Sequence, residues 1–297
     1  MSRDERPRGH GRTTDGRDGV LCVSPPAEFA RSLLGRLHET RIDRSTPTVG
    51  GDVDVTEYVA AVPSVADGST PIRLLVSEPS ALLGRFVTAA VASDLRADDH
   101  LAVAAADDLS QRVTVADGAV HAHLRPTGEL QSVTARTPSL CRRLHERYDR
   151  RWAAAEPLEP STPGWRELTN TFVEAFPDAG ETLRIVLADA PELPVSGTFD
   201  VVTVVGLVAA RHGLQTMAVS EWAESIGLSS RTELSRVKSR LVDRGLVETD
   251  RVPQGVGRPR QKLLVDADRL RDCPPEDLLT HARALYDGAT ETVVDGD

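Results

Sequence analysis

The sequence predicts an α/β N-terminal domain followed by a C-terminal winged helix-turn-helix, α+β overall. Three observations carry this. An apolar strand, a helix and a second apolar strand follow one another between Ile72 and Ala105, the order of a right-handed crossover in a parallel sheet. Arg112 to Leu124 alternates around Asp117-Gly118, a strong short-range hairpin signal. From Phe199 to Val265, an apolar helix, two helices separated by a glycine, and a Pro/Gly-rich hairpin follow in winged-helix order.

A chain of 297 residues can build about two hydrophobic cores. Residues 1–20 are rich in Arg, Asp and Gly without periodicity and are expected to be a disordered, solvated tail. Residues 21–156 should form the α/β domain, serving regulation or self-association. Its helix over Ala27–Glu39 places Phe29, Leu33, Leu34 and Leu37 on one face. Ile72–Val76 is a strand, Ser80 should cap the crossover helix, and His100–Ala105 is the next strand. Another strand is expected near Leu130–Thr134, and Pro138 opens a charged helix running to about Glu156. Residues 157–196 read as linker and bridging helices. Prolines between Glu156 and Gly164 break the preceding helix, and Trp165–Phe176 and Ala179–Ala188 look helical. The winged helix takes 197–266, and a last amphipathic helix takes 274–287.

Within the winged helix, Phe199–Arg211 is almost wholly apolar and belongs in the core. Ser220 is placed to N-cap the second helix, and Gly227 to end it. Ser230-Arg231-Thr232-Glu233 has the form of a capping box, so the third helix starts there. Leu234, Val237 and Leu241 recur at i, i+3 and i+7 and define its buried side. The opposite side then carries Thr232, Arg236 and Ser239, flanked by Ser235 and Arg240. All of these donate hydrogen bonds and none is acidic, as a recognition helix requires. In the hairpin loop, Gly257-Arg258-Pro259 resembles the minor-groove core of AT-hook peptides. Arg258 is the expected wing-tip contact, with Arg260 and Lys262 on phosphates. The candidate DNA-binding set is therefore Ser230, Arg231, Thr232, Ser235, Arg236, Ser239, Arg240, Arg258, Arg260 and Lys262.

Charge distribution supports that set. The chain has a formal charge of -10, yet Ser229–Lys262 holds nine basic and four acidic residues. A basic island on an acidic body is the electrostatic footprint of a nucleic-acid site. Arginine supplies 33 of the 35 basic residues. This acidic, lysine-poor composition resembles that of proteins from salt-loving archaea, although a high-GC genome alone also favours Arg over Lys. Near 1 M salt the Debye length is only about 3 Å, so short-range arginine contacts would have to carry binding.

These residues, with the α/β segment before them and the low lysine content, resemble the haloarchaeal TbsP-type transcriptional regulators. The resemblance implies a sequence-specific regulator whose N-terminal domain senses an effector, self-associates, or does both.

Other constellations are weaker. His121 and His123 share one face of a strand, but no third metal ligand is identifiable, so solvent-facing histidines are expected. Asp98, Asp99, Asp107 and Asp108 flank a strand and are expected to be solvated. Val49-Gly50-Gly51-Asp52 is too short a glycine cluster for a phosphate site. No phosphate loop, G-x-S-x-G elbow or kinase signature occurs, so no enzyme, cofactor or metal is expected. Cys22, Cys141 and Cys273 are too scattered for a disulfide framework or zinc ribbon. Neither a signal peptide nor a membrane span is read, so a cytoplasmic homodimer on double-stranded DNA is expected, with a small-metabolite effector allowed. The alternative is an assembly or scaffold protein that docks protein through its winged helix.

Overall fold

The computed structural model describes residues 20–44, 49, 53–66, 70–125, 130–252, 260–265 and 268–291. The tail 1–19, the glycines of the 49–52 loop and the wing tip 253–259, Arg258 included, lie outside them.

Strands β1 (Val20–Val23), β2 (Ile72–Val76) and β3 (Leu101–Ala105) pair in parallel at the centre of a mixed sheet. Their near-continuous apolar character suits strands covered on both faces. Strands β4 (Val113–Ala116), β5 (Ala119–Leu124) and β6 (Gln131–Ala135) add antiparallel beyond β1, and β7 (Glu156–Leu158) adds beyond β3. The order is β6-β5-β4-β1-β2-β3-β7. The crossover from β2 to β3 and the β4–β5 hairpin are both as the sequence predicts. Asp117 and Gly118 both take positive φ, 49° and 68°, as a two-residue type I′ turn requires.

One face of this sheet is covered by α1 (Ala27–Arg41), α2 (Thr56–Ala61), α3 (Pro63–Ala66), α4 (Pro79–Leu83) and α5 (Phe86–Ala97). The other is covered by α6 (Pro138–Ala154), whose Cys141 and Tyr148 pack on Leu21, Val23, Val113 and Val115. Strand alternation makes this division, since Val20 and Cys22 join the first core and Leu21 and Val23 the second.

Four expectations give way here. Val20, assigned to the tail, opens β1, a central strand. Ser80 is not a cap; the crossover helix is broken into α4 and α5 at Gly84. The break has a tertiary cause, because the Phe86 N–H donates to the Leu193 carbonyl at 2.7 Å rather than continuing α4. The Glu156–Gly164 stretch, expected as linker, forms the edge strand β7 and then packs on α5. His121 and His123 are buried beneath Phe29 and Tyr58 rather than solvent-facing.

Helices α7 (Trp165–Ala175) and α8 (Pro177–Ala188) lead into α9 (Val201–Arg211), α10 (Thr216–Ser225) and α11 (Arg231–Asp243). The hairpin β8 (Val247–Val252) and β9 (Arg260–Val265) follows, then α12 (Asp268–Asp272) and α13 (Leu278–Glu291). A single apolar cluster runs from α1 and α5 through α7 and α8 into α9, α10 and α11.

Asp94 of α5 joins the two halves by polar bonds. Its Oδ2 accepts from His38 Nε2 at 2.7 Å and from the Arg166 backbone N–H at 3.0 Å. The N-cap of α7, Gly164, has no side chain to offer, and Asp94 caps that helix from another element. A Cβ at Gly164 would lie 2.0 Å from Asp94 Oδ1, so only glycine admits this approach.

Candidate nucleic-acid interface

The winged helix is held from three sides. Asp200 N-caps α9 by accepting from the Thr203 N–H at 2.9 Å. Gln215 bridges to Lys262, and the Leu263 N–H donates to the Leu214 carbonyl at 3.0 Å, so the segment before α10 forms a short third strand beside β9. Trp222 of α10 donates from Nε1 to Thr171 Oγ1 at 3.0 Å and packs edge-on against Phe172, fixing α10 to α7. Helix α10 starts at Thr216, and Ser220 lies buried within it rather than capping it. The hydrophobic run that begins the helix starts a turn earlier than a side-chain cap would place it.

Gly227 takes φ 68° and turns the chain into Ser230, whose hydroxyl accepts from the Glu233 N–H at 3.2 Å. The helix starts where the S-x-x-E pattern places it, with the serine half of the capping box formed. The Glu233 carboxylate turns back to accept from Ser229 Oγ at 3.3 Å. Leu234, Val237 and Leu241 are buried against α9, and Gly206 of α9 makes the close approach, since a Cβ there would lie 3.3 Å from Leu241 Cδ1.

The outward side of α11 presents Arg231, Thr232, Ser235, Arg236 and Ser239, all exposed, with Ser230 exposed at its N-terminus. Thirteen residues give a rod about 20 Å long, which a major groove about 12 Å wide admits. Arg231 is shared with Glu224 at 2.7 Å, whereas Arg236 lines an open groove of about 490 Å³ with Ser235 and Ser239.

Arg240 is placed differently from its neighbours. It is half-buried and turned to α9, where Nη2 donates to Thr203 Oγ1 at 3.1 Å and Nε is buried with no hydrogen-bond partner. Position i+4 from Arg236 suggested the same face. The difference is Thr203, a hydroxyl on a neighbouring helix that captures the longer side chain. Lys238, absent from the sequence-derived set, points to the hairpin and donates to Gln261 Oε1 at 3.2 Å. Its signal was its place one residue from Val237, on the edge of the buried face. Lys262 lies half-exposed on β9, and for Arg260 the backbone pairing with Val252 is defined.

A TbsP-like transcriptional regulator N-terminal model matches residues 44–163, and the model of the C-terminal HTH domain of the same regulators matches residues 164–283. The chain belongs to the TbsP-like transcriptional regulators. The boundary between the two matches falls at Gly164, the residue packed against Asp94. No match is found among curated proteins or solved structures. As a TbsP-like chain with a helix-turn-helix domain it is a transcriptional regulator. Among the described residues, no helix is long and apolar enough to cross a membrane.

Proposed function

We propose that this TbsP-like regulator binds double-stranded DNA sequence-specifically, with α11 in the major groove and the Gly257-Arg258-Pro259 tip in the adjacent minor groove. The observation that carries the reading is the exposed row Thr232, Ser235, Arg236 and Ser239, a continuous donor surface on an acidic protein. Arg236 reads a base, while Arg231 and Lys262 hold phosphates. The arginine-for-lysine bias supports a haloarchaeal cytoplasm as the working environment, where direct guanidinium contacts outlast long-range attraction.

An effector role for the N-terminal domain is supported by a cleft of about 730 Å³ at the joint. Asp94, Arg96, Glu159, Arg166 and Asn170 line it, so a ligand there would touch both α5 and α7.

The deciding experiment is selection of genomic DNA fragments by the purified protein across a KCl series. A discrete enriched site persisting into molar salt is the expected result. Sequence-blind binding that vanishes with salt would mean either a missing effector or a winged helix whose partner is protein, and its persistence when metabolites are added would overturn the reading in favour of protein docking.

A further inference from the structure

The two edges of the seven-stranded sheet differ in chemistry. Edge strands invite pairing with other chains, and proteins blunt them with charge, proline or shortness. Edge β7 has all three protections: three residues, Glu156 and Pro157. Edge β6 has none of them. Its five residues, Gln131-Ser132-Val133-Thr134-Ala135, carry no charge and no proline, and no described strand pairs with its outer side.

Alternation sets what that outer side offers. The two-residue turn makes Ala116 and Ala119 a hydrogen-bonded pair, and the His123 N–H donates to Arg112 on the same side. Val120, Ala122 and Leu124 therefore direct their backbone groups toward β6, where they meet Ala135, Val133 and Gln131. The N–H and C=O groups of Ser132 and Thr134 consequently point away from the sheet. Their side chains are committed elsewhere, with Ser132 Oγ 3.2 Å from His123 Nδ1 and Thr134 Oγ1 3.0 Å from His121 Nδ1. On the opposite face, beyond the reach of α6, Val133 is 56% exposed and Leu124 50% exposed. These adjacent residues account for every large hydrophobic side chain classed as exposed among the described residues of the N-terminal sheet.

We propose that β6 is the dimerisation edge, pairing antiparallel with β6 of a second copy about a two-fold axis through Val133. This register engages all five residues. Ser132 and Thr134 of one copy exchange backbone hydrogen bonds with Thr134 and Ser132 of the other. Val133 then faces its own counterpart at a non-hydrogen-bonded position, where Cα atoms approach to about 4.5 Å and side chains touch. Such an edge is self-complementary, as an isologous interface must be. An uncharged strand with its apolar residue on the axis fits a second copy better than an unlike partner.

The inference does not rest on DNA binding, and its test contains no DNA. Sedimentation of the full chain should give twice the 32.0 kDa chain mass. Val133→Lys sets two like charges on the axis and should give the single-chain mass, with a folded far-UV spectrum and a melting temperature that no longer depends on protein concentration. Under mild oxidant, Val133→Cys should form a disulfide-linked dimer, because its Cα separation lies within disulfide range. Met217→Cys, on α10 and 59% exposed, should not. A monomeric wild type, a Val133→Lys protein that stays dimeric, or equal cross-linking at both cysteines would each overturn the proposal.

Discussion

Acidification should destabilise the N-terminal sheet through His123. Its ring is 3% exposed and lies 4.4 Å from Phe29 and 5.7 Å from Tyr58, centroid to centroid. Nε2 is 3.0 Å from Thr114 Oγ1, and Nδ1 3.2 Å from Ser132 Oγ. Burial, then the neighbouring His121, holds its pKa down to about 4 from the usual 6.5. Between those two values the unfolded chain takes up a proton that the folded chain refuses. Stability is therefore intact above pH 6.5 and falls as pH drops toward 4. Two and a half pKa units correspond to about 3 kcal/mol in full, and roughly 2 kcal/mol is lost by pH 5. His121 is shifted in the same direction, chiefly by burial, and adds to the loss. Urea unfolding at fixed salt from pH 7.5 to 4.5 would measure this for the wild type and His123→Gln. The glutamine keeps polar atoms near Thr114 and Ser132 but does not titrate, so its stability should decline less steeply. Superimposable declines would refute the assignment of the loss to His123.

Arg236→Ala should weaken binding to the selected site by about 1–3 kcal/mol while leaving the melting temperature unchanged, if the side chain reads a guanine; equal loss on every sequence would make it a phosphate contact. Arg240→Ala should behave in the opposite way, lowering thermal stability through the lost bond to Thr203 with a smaller effect on affinity, as paired melting and titration experiments would show. Gly164→Ala should cost about 1–3 kcal/mol, because the new methyl displaces Asp94 from the α7 N-terminus and leaves buried donors unpaired; limited proteolysis around residues 159–164 should accelerate. In the β6-paired dimer, the crossover helix α5 stands about 24 Å from the axis, given strands about 4.8 Å apart. The two winged helices, each joined to its sheet through α5 and α7, should then select half-sites more than one DNA turn, about 34 Å, apart. A one-turn spacing would contradict that pairing.

Much of the winged helix was legible because its signals are local. The capping box at Ser230, the turn at Gly227 and the i, i+3, i+7 run of Leu234, Val237 and Leu241 each act within a few residues. The same holds for the Asp117-Gly118 hairpin, whose turn needs two consecutive residues at positive φ. Ser220 failed as a cap because a serine inside an amphipathic helix looks the same in sequence as one in front of it.

By itself, then, the sequence determined the winged-helix segment, the hairpin, the crossover and the residue types on the outward side of α11. Periodicity, capping and turn chemistry operate over distances the chain encodes directly. Tertiary structure alone decided what depends on partners far along the chain. The four residues of β1 have no period, and their strand neighbours begin at Ile72 and Val113. Prolines predicted a break after Glu156, but the open edge of β3 made a strand of it. Thr203 turned Arg240 inward, and Asp94 received the bare N-terminus of α7. Burial of His121 and His123 followed from α1 and α2 closing over β5, a packing event that two alternating histidines cannot announce.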